Sequence, residues 1–342
     1  MLTKPCVQLP INKNCLNKLS DFVQQQHSVC GFSTSDSWVV LSPIEQSIKQ
    51  KIESVGTPLK DWDINIYRGV LTGYNEAFII STEKRDEILA NCATEEERTR
   101  TAELIRPILR GRDIKRYGYE WAGLYLIATF PSRHYDIELY PAVKKFLLSF
   151  AKESLIESGY QWVADSYLEE FCKQKLEQSG RFIEIQGKRI RIGKDDEKSR
   201  KKTSNKWFET QDSISYWEDF SKPKIVWGNL NIKAGYALVE DFAFVNAPSP
   251  MIVPSSKYLL AVLNSKIADY YIRLLGVTRN GGYFEYKPMF VEKIPIPKNV
   301  DESIISEIET SIAVKDEVKI DASIYNLYGL NKEEINFIEN KN

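Results

Sequence analysis

Histidine is nearly missing from this sequence, and its cysteines form no pattern. Among 342 residues there are two histidines, His27 and His134, and five cysteines, Cys6, Cys15, Cys30, Cys92 and Cys172. No two cysteines stand at C-x-x-C spacing, so neither a zinc site nor a disulfide framework is supported, and the odd, scattered set points to the cytoplasm. Neither histidine neighbours a Ser or Cys in a nucleophile motif. No apolar run approaches the ~18 residues that span a bilayer. The N-terminus lacks the basic-then-apolar pattern of a secretory signal. No G-x-x-x-x-G-K-[ST] or G-x-G-x-x-G run occurs, which removes the common phosphate-cradling loops. The residues therefore assign no catalytic group and no metal ligand.

What remains is an ordinary globular composition, 43% hydrophobic, 12% aromatic and 27% charged, in a chain long enough for two or three domains. Lys+Arg number 46 against 47 Asp+Glu, yet the charge is unevenly spread. Arg98 to Tyr119 holds seven basic and two acidic residues, and Arg181 to Lys206 ten and four. From Glu292 to the C-terminus the balance reverses, with eleven acidic and six basic residues. A neutral protein with two basic tracts can still hold a polyanion, because phosphates respond to the local potential. A solvated polar face explains either tract equally well by itself.

Local patterns predict mixed strands and helices without strict alternation, an α+β fold. Ser42-Pro-Ile-Glu45 is a capping box that opens a helix, with Gly56 as its expected left-handed cap and Pro58 beyond. Strands are expected at 64–67, 77–80 and 124–128, and helices from Ser81 or Thr82, from Thr94 to before Pro107, over 141–158 and over 164–178. Residues 108–114 read as a charged turn. Residues 181–192 alternate about Gln186-Gly187 as a hairpin with a basic outer face. Lys224–Trp227 is a strand. One long helix is expected from Ser255 or Ser256 to about Leu275, an extended Ile294–Pro297, and two or three acidic helices over 300–340.

Four loops combine cations, amides, glycine and aromatics. The first holds Arg68, Thr72, Tyr74 and Asn75. The second is Arg110-Gly-Arg112-Asp113-Ile-Lys115-Arg116, where Asp113 is placed to pin one arginine. The third is Trp227-Gly-Asn229-Leu-Asn231-Ile-Lys233, and the fourth Arg279-Asn280-Gly-Gly-Tyr283. Arginine pairs bidentately with guanine or phosphate, lysine supplies a point charge, and asparagine suits adenine in the major groove. Each loop alone is also ordinary turn chemistry.

The order of these segments resembles a known family. The runs Leu41-Ser-Pro-Ile-Glu45, Gly56-Thr-Pro-Leu59 with Trp62, and Gly69-Val-Leu-Thr-Gly-Tyr-Asn-Glu-Ala-Phe78 are similar to the TaqI-like target-recognition domain of type IIG restriction-modification enzymes and adenine-specific DNA methyltransferases. So are Ile105-Arg-Pro-Ile-Leu-Arg-Gly-Arg-Asp-Ile-Lys115, Pro223-Lys-Ile-Val-Trp227, Leu259-Leu-Ala-Val-Leu-Asn-Ser265, Val291-Glu-Lys-Ile-Pro-Ile-Pro297, and Asp321 with Leu327-Tyr-Gly-Leu330. The resemblance runs over roughly 38–340, with residues 149–206 unmatched and set aside as an insertion.

The resemblance implies a domain at 38–298 that recognises double-stranded DNA, preceded by a linker or core tail at 1–37 and followed by a helical segment at 299–342. It implies a methyltransferase core, with or without a nuclease, in cis or in trans, and S-adenosylmethionine bound there. Family members that methylate carry an Asn-Pro-Pro-aromatic motif; this sequence has no Pro-Pro pair, so neither catalysis nor cofactor binding is carried over. The chain then reads as a specificity part, cut out or separately encoded. The expected DNA contacts are Arg68, Thr72, Tyr74, Asn75, Arg110, Arg112, Lys115, Arg116, Trp227, Asn229, Asn231, Lys233, Arg279, Asn280 and Tyr283. Two other readings stand beside it. One is a metal-dependent nuclease using Asp165, Glu184, Gln186 and Lys188. The other is a scaffold whose acidic C-terminal helices bind a protein partner.

Overall fold

The structure, a computed structural model, describes residues 41–153, 170, 172–173, 176, 203–275 and 278–341, with the backbone alone at 6–8, 28–30, 154–157, 182–185 and 188–191. The expectations at His27, Asp165, Gln186, the helix over 164–178 and the outer face of the 181–192 hairpin lie outside the described residues. The chain divides into two compact units, one of Met1–Asp63, Ile232–Ala234 and Lys257–Asn342, the other of Ile64–Asn231 and Gly235–Ser256.

The elements used below, in chain order, are α1 (Pro43–Val55), β1 (Asn65–Arg68), α2 (Asn75–Phe78), β2 (Ile79–Ser81), α3 (Thr82–Ala90), α4 (Glu95–Leu104), β3 (Ile105–Leu109), β4 (Leu124–Ile127) and α5 (Pro141–Glu157). They continue as β5 (Lys224–Trp227), β6 (Tyr236–Val239), β7 (Phe244–Val245), β8 (Pro250–Val253), α6 (Lys257–Asn264), α7 (Lys266–Leu275), α8 (Glu302–Ala313), α9 (Glu317–Leu327) and α10 (Lys332–Lys341). This is the α+β class.

The first unit is mainly helical. Ser42 opens α1, donating from its amide to Glu45 Oε2 at 2.7 Å and from its hydroxyl at 2.8 Å. Ile48 and Ile52, one helical turn apart, are buried. Gly56 ends the helix in an extended conformation, φ −91°, not the left-handed one expected. The reason is remote. A Cβ at Gly56 would lie 2.6 Å from Pro295 O, because Thr57–Pro58 pairs antiparallel with Pro295–Ile296. The expected long helix from Ser255 is two helices, α6 and α7, broken at Ser265. Three C-terminal helices form, and they fall in the same unit as residues 257–298. Several of their acids face inward. Glu334 is 2% exposed and accepts from Ser47 Oγ and Lys51 Nζ, both at 2.7 Å. Asp321 accepts from Lys266 N at 3.0 Å.

The second unit holds two four-stranded sheets, ordered β6-β5-β8-β1 and β7-β3-β4-β2. In the first sheet all pairings are antiparallel, and every residue of β5 and β8 is buried. In the second, β7 runs parallel to β3. The strand expected over 77–80 starts only at Ile79, because Ala77 and Phe78 belong to the helical turn α2, and the expected turn over 108–114 starts only at Gly111 because Ile105–Leu109 pairs as a strand. Thr94 caps α4 through Glu97 N at 3.1 Å. The buried Glu97 carboxylate then accepts from Ala93 N and from Ala142 N at the start of α5, so one acid serves two helix N-termini.

Lys224, at the start of β5, is fully buried. Its Nζ donates to three carbonyls, Phe220 O at 2.8 Å, Asp241 O at 3.0 Å and Lys222 O at 3.3 Å. Burial pulls its pKa down to about 8, opposed by the Asp241 carboxylate. Lys224→Met leaves those carbonyls without their donor and is expected to destabilise the unit by about 1–3 kcal/mol at neutral pH. Between the folded value of about 8 and the unfolded 10.5, the unfolded chain binds the extra proton, so Lys224 makes stability rise with pH across that window. Urea unfolding should therefore show the wild type gaining on Lys224→Met as pH climbs, and a constant gap would contradict the assignment.

Candidate nucleic-acid interface

Strand register decides which loops meet. Trp227 stands opposite Tyr236, Val226 opposite Met251, and Pro250 opposite Arg68. Arg68, Ser249-Pro250, Trp227-Gly228 and Tyr236 thus share one end of the four-stranded sheet, although the sequence separates them widely. The 110–117 segment closes on the same end. Tyr117 N donates to Tyr236 O at 2.9 Å, and Asn246 N donates to Leu109 O at 2.8 Å.

Glycine makes this approach possible. A Cβ at Gly69 would lie 2.6 Å from Ser249 O, and one at Gly111 would lie 2.8 Å from Ser249 Oγ and 3.8 Å from Gly228 Cα. Three of the glycine-bearing loops, Arg68-Gly69, Arg110–Arg116 and Gly228–Asn231, are therefore brought together around Ser249. Asn231 closes its own turn by donating from Nδ2 to Gly228 O at 3.0 Å. Asn229 is half-buried, and its Oδ1 is shielded from solvent without a hydrogen-bond partner among the described residues.

The cations here are of two kinds. Arg110 is braced by Asp113, with Nε to Oδ2 at 3.0 Å and Nη2 to Oδ1 at 2.8 Å, and its side chain is only 24% exposed. Burial pushes the Asp113 carboxyl up, but the Arg110 guanidinium and amide outweigh it and hold it below the usual aspartate value. Arg68 pairs with Asp212 at 2.6 Å yet keeps 61% of its side chain exposed. Arg112 and Lys115 are exposed, and among the described residues no carboxylate pairs with either; Lys115 Nζ donates to Arg112 O at 2.9 Å. Arg116 lies 5.3 Å from the Tyr117 ring. Glu120 is an exposed acid in the same segment, its amide bonded to Asp113 O at 2.8 Å.

Other expected contacts are placed differently. Trp227 is fully buried and packs on Tyr236, ring centroids 5.4 Å apart, so it is a core residue and not a surface contact. Thr72 is also fully buried: its hydroxyl donates to Asn75 Oδ1 at 2.7 Å and accepts from Tyr74 N at 3.1 Å. Tyr74 sits edge-on to Phe150 of α5. Asn75 is exposed, but it begins α2 and is committed to Thr72. Lys233, Arg279, Asn280 and Tyr283 belong to the other compact unit. There Arg279 is tied to Glu285, with Nε to Oε1 at 2.6 Å, while Lys233, Asn280 and Tyr283 are exposed. Lys287 and Arg279 together hold the Glu285 carboxyl below its ordinary range.

Sequence reasoning missed Ser249, Asp212 and Tyr216. Ser249 has only its two flanking prolines as a signal, and Asp212 and Tyr216 have none. Asp165 and Gln186 of the nuclease reading lie outside the described residues. Among the described residues no group of three or more His, Cys, Asp or Glu side chains is arranged to hold a metal, and no helix is long and apolar enough to cross a membrane.

Residues 169–296 match the family model of the TaqI-like C-terminal specificity domain. The match is narrower than the resemblance over 38–340, and it takes in residues 169–206, part of the expected insertion. Two solved structures share similarity with the chain. The type IIL restriction-modification enzyme MmeI, solved in complex with DNA, is 10% identical with a TM-score of 0.46, over 82% of this chain and 35% of that one. The type IIG restriction endonuclease BpuSI is 11% identical with a TM-score of 0.44, over 83% of this chain and 33% of its own. The chain thus spans about a third of either enzyme. No curated protein matches it.

The convergence around Ser249 depends on the absence of a Cβ at Gly69. Gly69→Ala sets a methyl against backbone oxygens that cannot rotate away, and should cost about 1–3 kcal/mol. Thermal unfolding measures this directly; an unchanged melting temperature would mean the close approach is not real.

Proposed function

We propose that this chain is a sequence-specific recognition module for double-stranded DNA, serving a restriction-modification enzyme in the cytoplasm. The observation that carries the reading is the gathering of Arg68, Arg112, Lys115, Arg116, Asn229 and Asn231 at one sheet end. The match of residues 169–296 to a specificity domain supports it.

The chemistry divides by partner. Arg112, Lys115 and Arg116 attract phosphates by charge and set position without reading sequence. Asn229 and Asn231 bring amides to this sheet end, and adenine offers an N6–H donor beside an N7 acceptor in the major groove. Lys233, Asn280 and Tyr283 are exposed on the other unit. A methyltransferase core in cis or in trans, with or without a nuclease, takes the adenine out of the stack for transfer to N6. In this reading that same core also binds S-adenosylmethionine.

Fluorescence anisotropy with short duplexes across a salt series tests this. Affinity should fall linearly on a log–log plot as salt rises, and Arg112→Ala should weaken binding to all sequences alike and lower the slope by about one. Binding that is absent, or indifferent to salt, would contradict the proposal.

A further inference from the structure

We infer that Arg68 reads a guanine and that Asp212 is the residue that positions it. The inference rests on the DNA-recognition reading above and adds a base identity to it. Arg68 ends β1 at the sheet end and is held at three points. Its side chain gives one N–H, at Nη2, to Asp212 Oδ1 at 2.6 Å. Its carbonyl accepts from Tyr216 OH at 2.9 Å, and the Tyr216 ring stacks on Tyr67 at 4.2 Å and 6°. The next amide, Gly69 N, donates to Ser249 O at 2.8 Å. Asp212 is itself fixed, because its second oxygen accepts from Leu71 N at 3.1 Å and its amide donates to Leu71 O at 3.1 Å. It cannot swing round to take a second guanidinium hydrogen without giving up Leu71.

Four of the five guanidinium hydrogens are left, on a side chain that is 61% exposed and already ordered. Among the described residues Nη1 and Nε have no partner. An ion pair neutralises most of the long-range attraction that a lone arginine exerts on a polyanion. It does not remove the ability to donate hydrogen bonds to neutral acceptors. Guanine presents two such acceptors side by side in the major groove, O6 and N7, matched to a planar guanidinium edge. Arg68 is therefore suited to a base and poorly suited to a phosphate, whereas the unpaired Arg112 and Lys115 are the reverse. Arg110 is not a second reader of this kind. Asp113 grips it with two bonds, and most of the side chain is covered, so it braces its own turn.

The test selects duplexes from a random pool with the full chain, then repeats the selection with Arg68→Ala, Arg68→Lys and Asp212→Asn. The wild type should enrich a motif with at least one guanine. Arg68→Ala should lose the preference at one guanine position and keep the rest, and Arg68→Lys should not restore it. Asp212→Asn should blunt discrimination at that same position. In the wild type, replacing that guanine with 7-deazaguanine removes N7 alone and should weaken binding about tenfold or more, while Arg68→Ala should not respond. The wild-type arm of this measurement needs no variant to fold. A guanine motif that survives Arg68→Ala unchanged, or no guanine sensitive to 7-deaza substitution, overturns the assignment and leaves DNA recognition standing. A wild type that enriches no sequence overturns both.

Discussion

At the end of the β6-β5-β8-β1 sheet, glycine at 69 lets its backbone approach the Ser249 carbonyl, and glycine at 111 leaves room for the Ser249 hydroxyl. Any side chain at Gly69 would occupy the place of Ser249 O, and one at Gly111 the place of the Ser249 hydroxyl. The turn at 110–113 is thereby seated against two strand ends that the sequence places far away. The rest follows from that seating. The exposed Arg112 and Lys115 are carried on the segment that meets Ser249 and Gly228, in a chain whose net charge is −1. Local potential, not net charge, is what a polyanion feels.

Carboxylates sort the cations within this region. Asp113 and Asp212 each spend one arginine, in different ways. The first locks a turn by taking two guanidinium hydrogens and an amide; the second takes a single guanidinium hydrogen beside the Leu71 amide and leaves the other guanidinium hydrogens free. Pairing of this kind costs attraction and gains order. A surface ion pair contributes little stability, so its effect here lies in fixing where donors point. Fixed donors distinguish between bases, and mobile charges hold the backbone.

Local chemistry was legible in the sequence, and remote chemistry was not. The Ser42–Glu45 box and the Thr94 cap depend on residues three apart, and both form as expected. The cluster at 110–116 was visible because like charges adjacent in sequence stay adjacent in space. Its brace by Asp113 was visible for the same reason. Gly56 was misread because the constraint on it is Pro295, whose position depends on tertiary pairing. A tryptophan beside Gly-Asn resembles a recognition loop in the sequence, yet Trp227 lies in β5, an inner strand of its sheet, and is buried. Thr72 to Asn75 could have been read correctly, because a hydroxyl three residues before an amide commonly satisfies itself. Asp212 and Ser249 left no local trace, and only strand register and loop packing bring them to the site.

Amide hydrogen exchange, with and without a duplex enriched by the chain, tests the central claim most directly. The account predicts slowed exchange at residues 68–69, 110–117, 228–231 and 246–249 together, since these segments meet at one sheet end. Protection confined to α3 and α5, with those four segments exchanging equally in both states, would contradict it.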